Sequence, residues 1–152
     1  MTRVRLIRIA LVLACAAAAA WYLRDPAWVG GVTSGLREWR TEDDGTRYRW
    51  TNGHAAFYVP SGAREMTLPM HIPAGAVLGD AFFPTAAPVT VRVSADDRWL
   101  ADIEVRPGAP WTSTTFPLAG RLSRRFKRID VRVSRVTGFE MRGVQLGEPR
   151  LR

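Results

Sequence analysis

Side chains able to do chemistry are few in this 152-residue chain, and their spacing is uninformative for catalysis. The two histidines, His54 and His71, show no HExxH or other paired spacing. The one cysteine, Cys15, sits in an apolar N-terminal run, so no zinc ligand set can be assembled. Gly31-Val32-Thr33-Ser34-Gly35 places its serine one position away from a nucleophile elbow, and no strand–turn–helix pattern surrounds it. Asp96-Asp97 and Glu42-Asp43-Asp44 could supply oxygens to a structural calcium, but adjacent acids in turns are more commonly turn formers. A glycosidase needs two carboxylates facing across a cleft. Asp102 and Glu104 instead share one strand face with basic and hydroxyl neighbours, as on a salt-bridged sheet surface. No catalytic residue, metal ligand or cofactor is assigned, and an enzyme acting on a glycan ranks behind non-catalytic readings.

Binding chemistry is better represented. Arg92, Asp102, Arg132, Arg47 and Tyr58 fall on the polar parity of their strands. Guanidinium forks beside an aromatic ring suit a sugar or an anionic polymer. Trp111, at a strand start after Pro110, or Trp99 could stack on a sugar ring if exposed; Trp99 falls on the apolar parity, so the core is its expected place. Phe82, Phe83 and Trp28 are candidate contacts for lipid or a partner protein.

The elements that must position these groups are strands. Val89 to Val105 alternates apolar and polar residues on both sides of Asp96-Asp97-Arg98. A three-residue loop pairs Val89 with Val105, Val91 with Ile103, Val93 with Ala101 and Ala95 with Trp99, and sets Arg92 against Asp102. Asn52-Gly53, between Thr46–Thr51 and His54–Val59, is the strongest short hairpin signal, and a turn there would bury Tyr48 and Trp50 and set Arg47 against Tyr58. Further strands are expected over 65–72, with Pro69 marking an edge or bulge, and over 111–118, 128–134 and 143–152, with a break near Pro149. About eight strands, regular turn signals and no amphipathic helix predict an all-β protein, an antiparallel two-sheet sandwich of jelly-roll type with one N-terminal hydrophobic helix.

Charge and address complete the reading. The net charge of +8 is carried almost wholly by arginine, with Lys127 the only lysine. Arg3, Arg5 and Arg8 are explained by targeting, and the compact cluster from Arg121 to Arg128 reads as a solvated loop, so no nucleic-acid partner is expected. Residues 1–23 place basic residues before an uncharged run from Ile9 to Leu23. An uncleaved signal anchor, a cleaved signal peptide and a lipoprotein signal around Cys15 are all compatible with it. Each sends the remainder out of the cytoplasm, either as a single-pass inner-membrane protein with a periplasmic C-terminal domain or as a secreted one. Residues 24–45 read as a juxtamembrane linker and 46–152 as the β-sandwich domain.

The runs RYRWTNGHAAFYVP, PVTVRVSADDRWLADIEV, RRFKRIDVRVSR and GVQLGEPRLR resemble bacterial envelope proteins that join an N-terminal membrane segment to one β-sandwich. That sandwich is similar to galactose-binding-like and carbohydrate-binding jelly rolls. The resemblance implies a non-catalytic module associated with envelope glycans or a protein partner. The competing expectation is a structural subunit of an envelope membrane complex.

Overall fold

The computed structural model describes residues 2–22, 25–74, 87–119, 124–136 and 142–152. Alternation becomes strand where the sequence places it, but the two best turn signals resolve differently from expectation.

The first is the hairpin of β5 (Val89–Ala95) and β6 (Arg98–Val105). Pairing follows the expected register from Val89 opposite Val105 to Val93 opposite Ala101, then shifts so that Ser94 faces Trp99 and Ala95 faces Arg98. The loop has two residues, not three. Asp96 and Asp97 occupy the left-handed region, at φ 48° and 65°, the backbone of tight turns whose twist matches the flanking strands. Leu100 is the extra residue of a bulge, and everything between it and the turn changes face.

The second is Asn52-Gly53, which is no turn. β3 runs unbroken from Arg47 to Pro60, and neither Asn52 nor Gly53 has the positive φ that a tight hairpin turn needs. The two halves of β3 have different partners. Tyr48 to Trp50 pair with β9 (Gln145–Gly147), and His54 to Pro60 pair with β8 (Phe126–Val133). Between them Thr51 is fully buried; its Oγ1 donates to Val144 O at 3.0 Å and accepts from Val144 N at 2.8 Å. Two ladders of long-range partners outweigh one local turn preference. Trp50 is buried as expected, though outside the main core cluster, Tyr48 is half-buried, and Arg47 pairs with Thr41 instead of facing Tyr58.

Five further strands complete the described sheet: β1 (Thr33–Leu36), β2 (Arg40–Thr41), β4 (Glu65–His71), β7 (Thr112–Pro117) and the short β10 (Arg150–Leu151). The order is β10-β4-β9-β3-β8-β5-β6, with β1 and β2 added on β3 and β7 on β4, every pairing antiparallel. The ten strands among the described residues join in one large antiparallel sheet, where about eight in two sheets were expected. β6 and β7 approach each other, so the sheet is nearly barrel-like. Its concave face holds one apolar cluster, in which Met66, Leu68, Met70, Val89, Val91, Val93, Ile129 and Val131 are completely buried.

The stretch expected as a linker is docked on this sheet. β1 and β2 lie within it, and Asp25 Oδ2 accepts from the backbone N–H groups of Arg125 and Phe126 at 3.1 and 3.3 Å. Helix α1 (Thr2–Tyr22) covers the apolar run, and its described side chains from Ile7 to Ala20 are all exposed. Among the described residues, no helix is long and apolar enough to cross a membrane.

Candidate functional site: an aromatic and charged face on the sheet

The bulge at Leu100 decides what stands on the outer face of β6, β5 and β8. It turns Trp99 away from the core, and the ring is 60% exposed. Its Nε1 donates to Asp102 Oδ1 at 3.2 Å. Arg92 grips the same carboxylate from β5, with Nε to Oδ1 at 2.8 Å and Nη2 to Oδ2 at 2.9 Å. This bidentate hydrogen bonding, helped by the tryptophan, pulls the Asp102 carboxyl down to about 2 and raises the Arg92 guanidinium. Ring, carboxylate and guanidinium thus form one preset unit.

Register extends the row. Arg132 on β8 lies opposite Arg92, and His54 on β3 lies opposite Arg132. A shallow hollow of about 260 Å³ opens among Thr90, Arg92, Arg132, Val133 and Ser134. One step along the strands, Asp130 Oδ1 lies 2.9 Å from His54 Nε2 and accepts from Arg128 Nη2 at 2.8 Å. Asp130 Oδ2 is buried with no partner. Tyr58, opposite Arg128, is half-buried on the same side of the sheet. His54 is exposed and is held by this carboxylate.

Arg47 and Trp111 belong to a second place. They line a cleft of about 550 Å³ with Pro69, Ser113, Glu148 and Arg150, among β3, β4, β7 and the β9–β10 segment. His71 on β4 is half-buried and stacks on Trp111 with ring centroids 5.1 Å apart. Arg47 and Arg49 set their guanidinium carbons 5.0 and 5.2 Å from the centroid of the Trp39 ring, a pair of cation–π contacts the sequence did not suggest. The single expected surface is therefore two: Arg92, Asp102 and Arg132, with Tyr58 nearby, on one half of the sheet, and Arg47 with Trp111 on the other.

Trp99, expected in the core, is the residue whose placement the structure reverses. Arg98, in a loop position that favours Gly or Asn, was the signal that could have revealed the shorter turn and the bulge. A third hollow, of about 450 Å³, lies between Trp99 and the end of the core, where Lys127 is buried with Nζ donating to Ala63 O at 2.6 Å.

The turn acids serve structure. Asp96 Oδ1 accepts from Arg128 N, and Asp44 accepts from the amide and hydroxyl of Thr46. Among the described residues, no three or more His, Cys, Asp or Glu side chains come together to hold a metal. Trp28 is 70% exposed; Phe82 and Phe83 lie outside the described residues.

No protein-family model matches the chain, and no curated protein matches it. Among solved structures it is similar to the CBM51-2 and INT domains of ZmpB from Clostridium perfringens in complex with GlcNAc, at 13% identity over 80% of this chain and 27% of that one, TM-score 0.44. It is similar to the salicylyl-acyltransferase SsfX3 of a tetracycline biosynthetic pathway, at 10% identity over 79% and 36% of the two chains, TM-score 0.48. It is also similar to a family two carbohydrate esterase from Clostridium thermocellum in complex with cellohexaose, at 10% identity over 80% and 31%, TM-score 0.44. The chain spans between 27% and 36% of the length of these structures.

Proposed function

We propose that the chain is a non-catalytic glycan-binding module of jelly-roll sandwich type that works outside the cytoplasm. The observation carrying this reading is the exposed Trp99 ring, fixed by its own N–H to the carboxylate that Arg92 holds from the neighbouring strand. A pyranose presents an apolar C–H face and an equatorial fringe of hydroxyls. An indole plane answers the first, and a coplanar carboxylate and guanidinium answer the second. Because all three side chains are restrained before any ligand arrives, little rotamer freedom is lost on binding.

The address rests on α1. Arg3, Arg5 and Arg8 lie in the first turns of a helix whose described side chains are apolar and exposed from Ile9 to Ala20. Such a surface is costly in water and favourable against lipid or a translocation channel. In this reading the segment acts as a signal anchor or a cleaved signal peptide, and a periplasmic reporter fused after Arg152 is active.

The glycan test is retention of the full-length protein on immobilised oligosaccharides of the bacterial envelope. Trp99→Ala weakens retention about 30-fold, the scale of losing a buried tryptophan anchor, and Arg92→Ala weakens it in the same direction. Unchanged retention in both variants would remove the Trp99 face from consideration. The second reading, a structural subunit of an envelope complex, is favoured by the exposure of Trp28. Cross-linking in native membranes to one stoichiometric protein partner through Trp28, with no glycan retention, would establish it.

A further inference from the structure

We infer that the Trp111 cleft is a second saccharide site, separate from the Trp99 face, and that it takes an acidic sugar. The ring is fixed from behind. It stacks on His71 at an interplanar angle of 28° and meets Tyr48 with centroids 6.4 Å apart. Gly147 leaves room for Pro69, which lines the same cleft: a Cβ at 147 would stand 2.9 Å from Pro69 Cβ, too close for one, and 3.5 Å from Trp111 Cζ3, an ordinary contact.

The cleft in front, about 550 Å³, lies within the span of small-molecule sites, about 300–1,000 Å³. Its polar groups are uncommitted. Among the described residues Glu148 and Arg150 form no ion pair, and Arg47 rests one face on Trp39 while keeping its N–H edge free of any carboxylate. Two guanidinium groups against one carboxylate leave an excess of positive charge beside an aromatic plane. Guanidinium forks match a carboxylate bidentately, so the matching ligand is a sugar bearing one, a uronate. Trp111 takes the ring face, Arg47 and Arg150 take the carboxylate, and Ser113 and Glu148 bond the hydroxyls.

The site shares its general ligand class with the reading above but none of its residues, so the two fail independently. The experiment is titration calorimetry of the full-length chain, in a detergent without a sugar headgroup, with tetragalacturonate and with cellotetraose. In the Trp99→Ala variant tetragalacturonate still binds, at one site per chain. Adding Arg150→Ala, an exposed position whose loss leaves the core intact, weakens that binding about tenfold or more, and Trp111→Ala abolishes it. Should Trp111→Ala fail to fold, as judged by near-ultraviolet circular dichroism, Arg150→Ala decides alone. No tetragalacturonate binding in Trp99→Ala would overturn the second site, and so would binding indifferent to Arg150→Ala or matched by cellotetraose. Retention that ignores Trp99→Ala but collapses with Arg150→Ala would instead sink the Trp99 platform and keep this site.

Discussion

Asp102 is the residue on which the exposed face turns, because it alone joins the tryptophan to the arginine. Its carboxyl lies below the ordinary value of 3.8, at about 2, so the stabilisation it brings is complete above the carboxylate range and is lost only as pH falls through about 2. Carboxyl chemical shifts followed by NMR should show Asp102 titrating well below the ordinary 3.8. A midpoint near 4 would mean that the Arg92 grip does not persist in solution. Asp102→Asn should cost binding far more than folding, since the pair is solvent-exposed. Lys127 works in the opposite sense. Burial pushes its amine below 10.5, with nearby Asp96 partly opposing the shift. The unfolded chain then holds its proton more tightly than the native one, and stability rises as pH climbs from the lowered value toward 10.5. Lys127→Met should flatten that rise in urea titrations across the alkaline range. A parallel curve for the variant would place the slope elsewhere.

At the scale of elements, β3 is held by contacts that tolerate little change. Gly35 sits at φ +62°, and a Cβ there would stand 1.8 Å from His54 O. Gly35→Ala should therefore break the β1–β3 pairing and lower stability by more than about 2 kcal/mol, combining backbone strain with a clash. Thr51→Val leaves the buried Val144 amide without its side-chain acceptor, a loss of about 1–3 kcal/mol in chemical denaturation. Asp97→Val, β-branched at φ 65°, should cost about 1–2 kcal/mol, whereas Asp97→Gly should be neutral or better. These sites also mark where sequence reading stops. The pairing of Val89 to Val93 with Ala101 to Val105 was legible because five successive residues alternate and a slip would bury Asp102. The bulge was not, because Leu100 and Trp99 are both large and apolar and either satisfies the inward parity. Asn52-Gly53 misled for a related reason. Turn chemistry is written locally, while β8 and β9, which hold the strand straight, lie about half the chain away or further.

For the whole molecule, β3 makes the two halves of the sheet one cooperative unit. Heat or denaturant should unfold the protein in a single transition, with tryptophan fluorescence and far-ultraviolet circular dichroism coinciding; two separated midpoints would show that the halves melt alone. The all-β class and most strands followed from alternation, and Arg92 beside Asp102 followed from register. The division of the candidate residues between two faces did not, because it depends on the order β4-β9-β3-β8-β5, which no local pattern encodes.

The bond between Thr51 and Val144, 93 positions apart, also has a consequence for how the chain is made. β1 and β2 leave the ribosome before β3 and can pair with one side of it, but the side that β8 and β9 take stays unpaired until they follow. Throughout synthesis and any vectorial passage through a membrane pore, that side of the fourteen-residue β3 is a template open to other chains. Holding the nascent polypeptide extended until its last strands emerge would then be a condition of reaching the native state. Chains released before Gln145 should accumulate as aggregates or be degraded, while full-length chains refold slowly from denaturant, as their long-range pairings require.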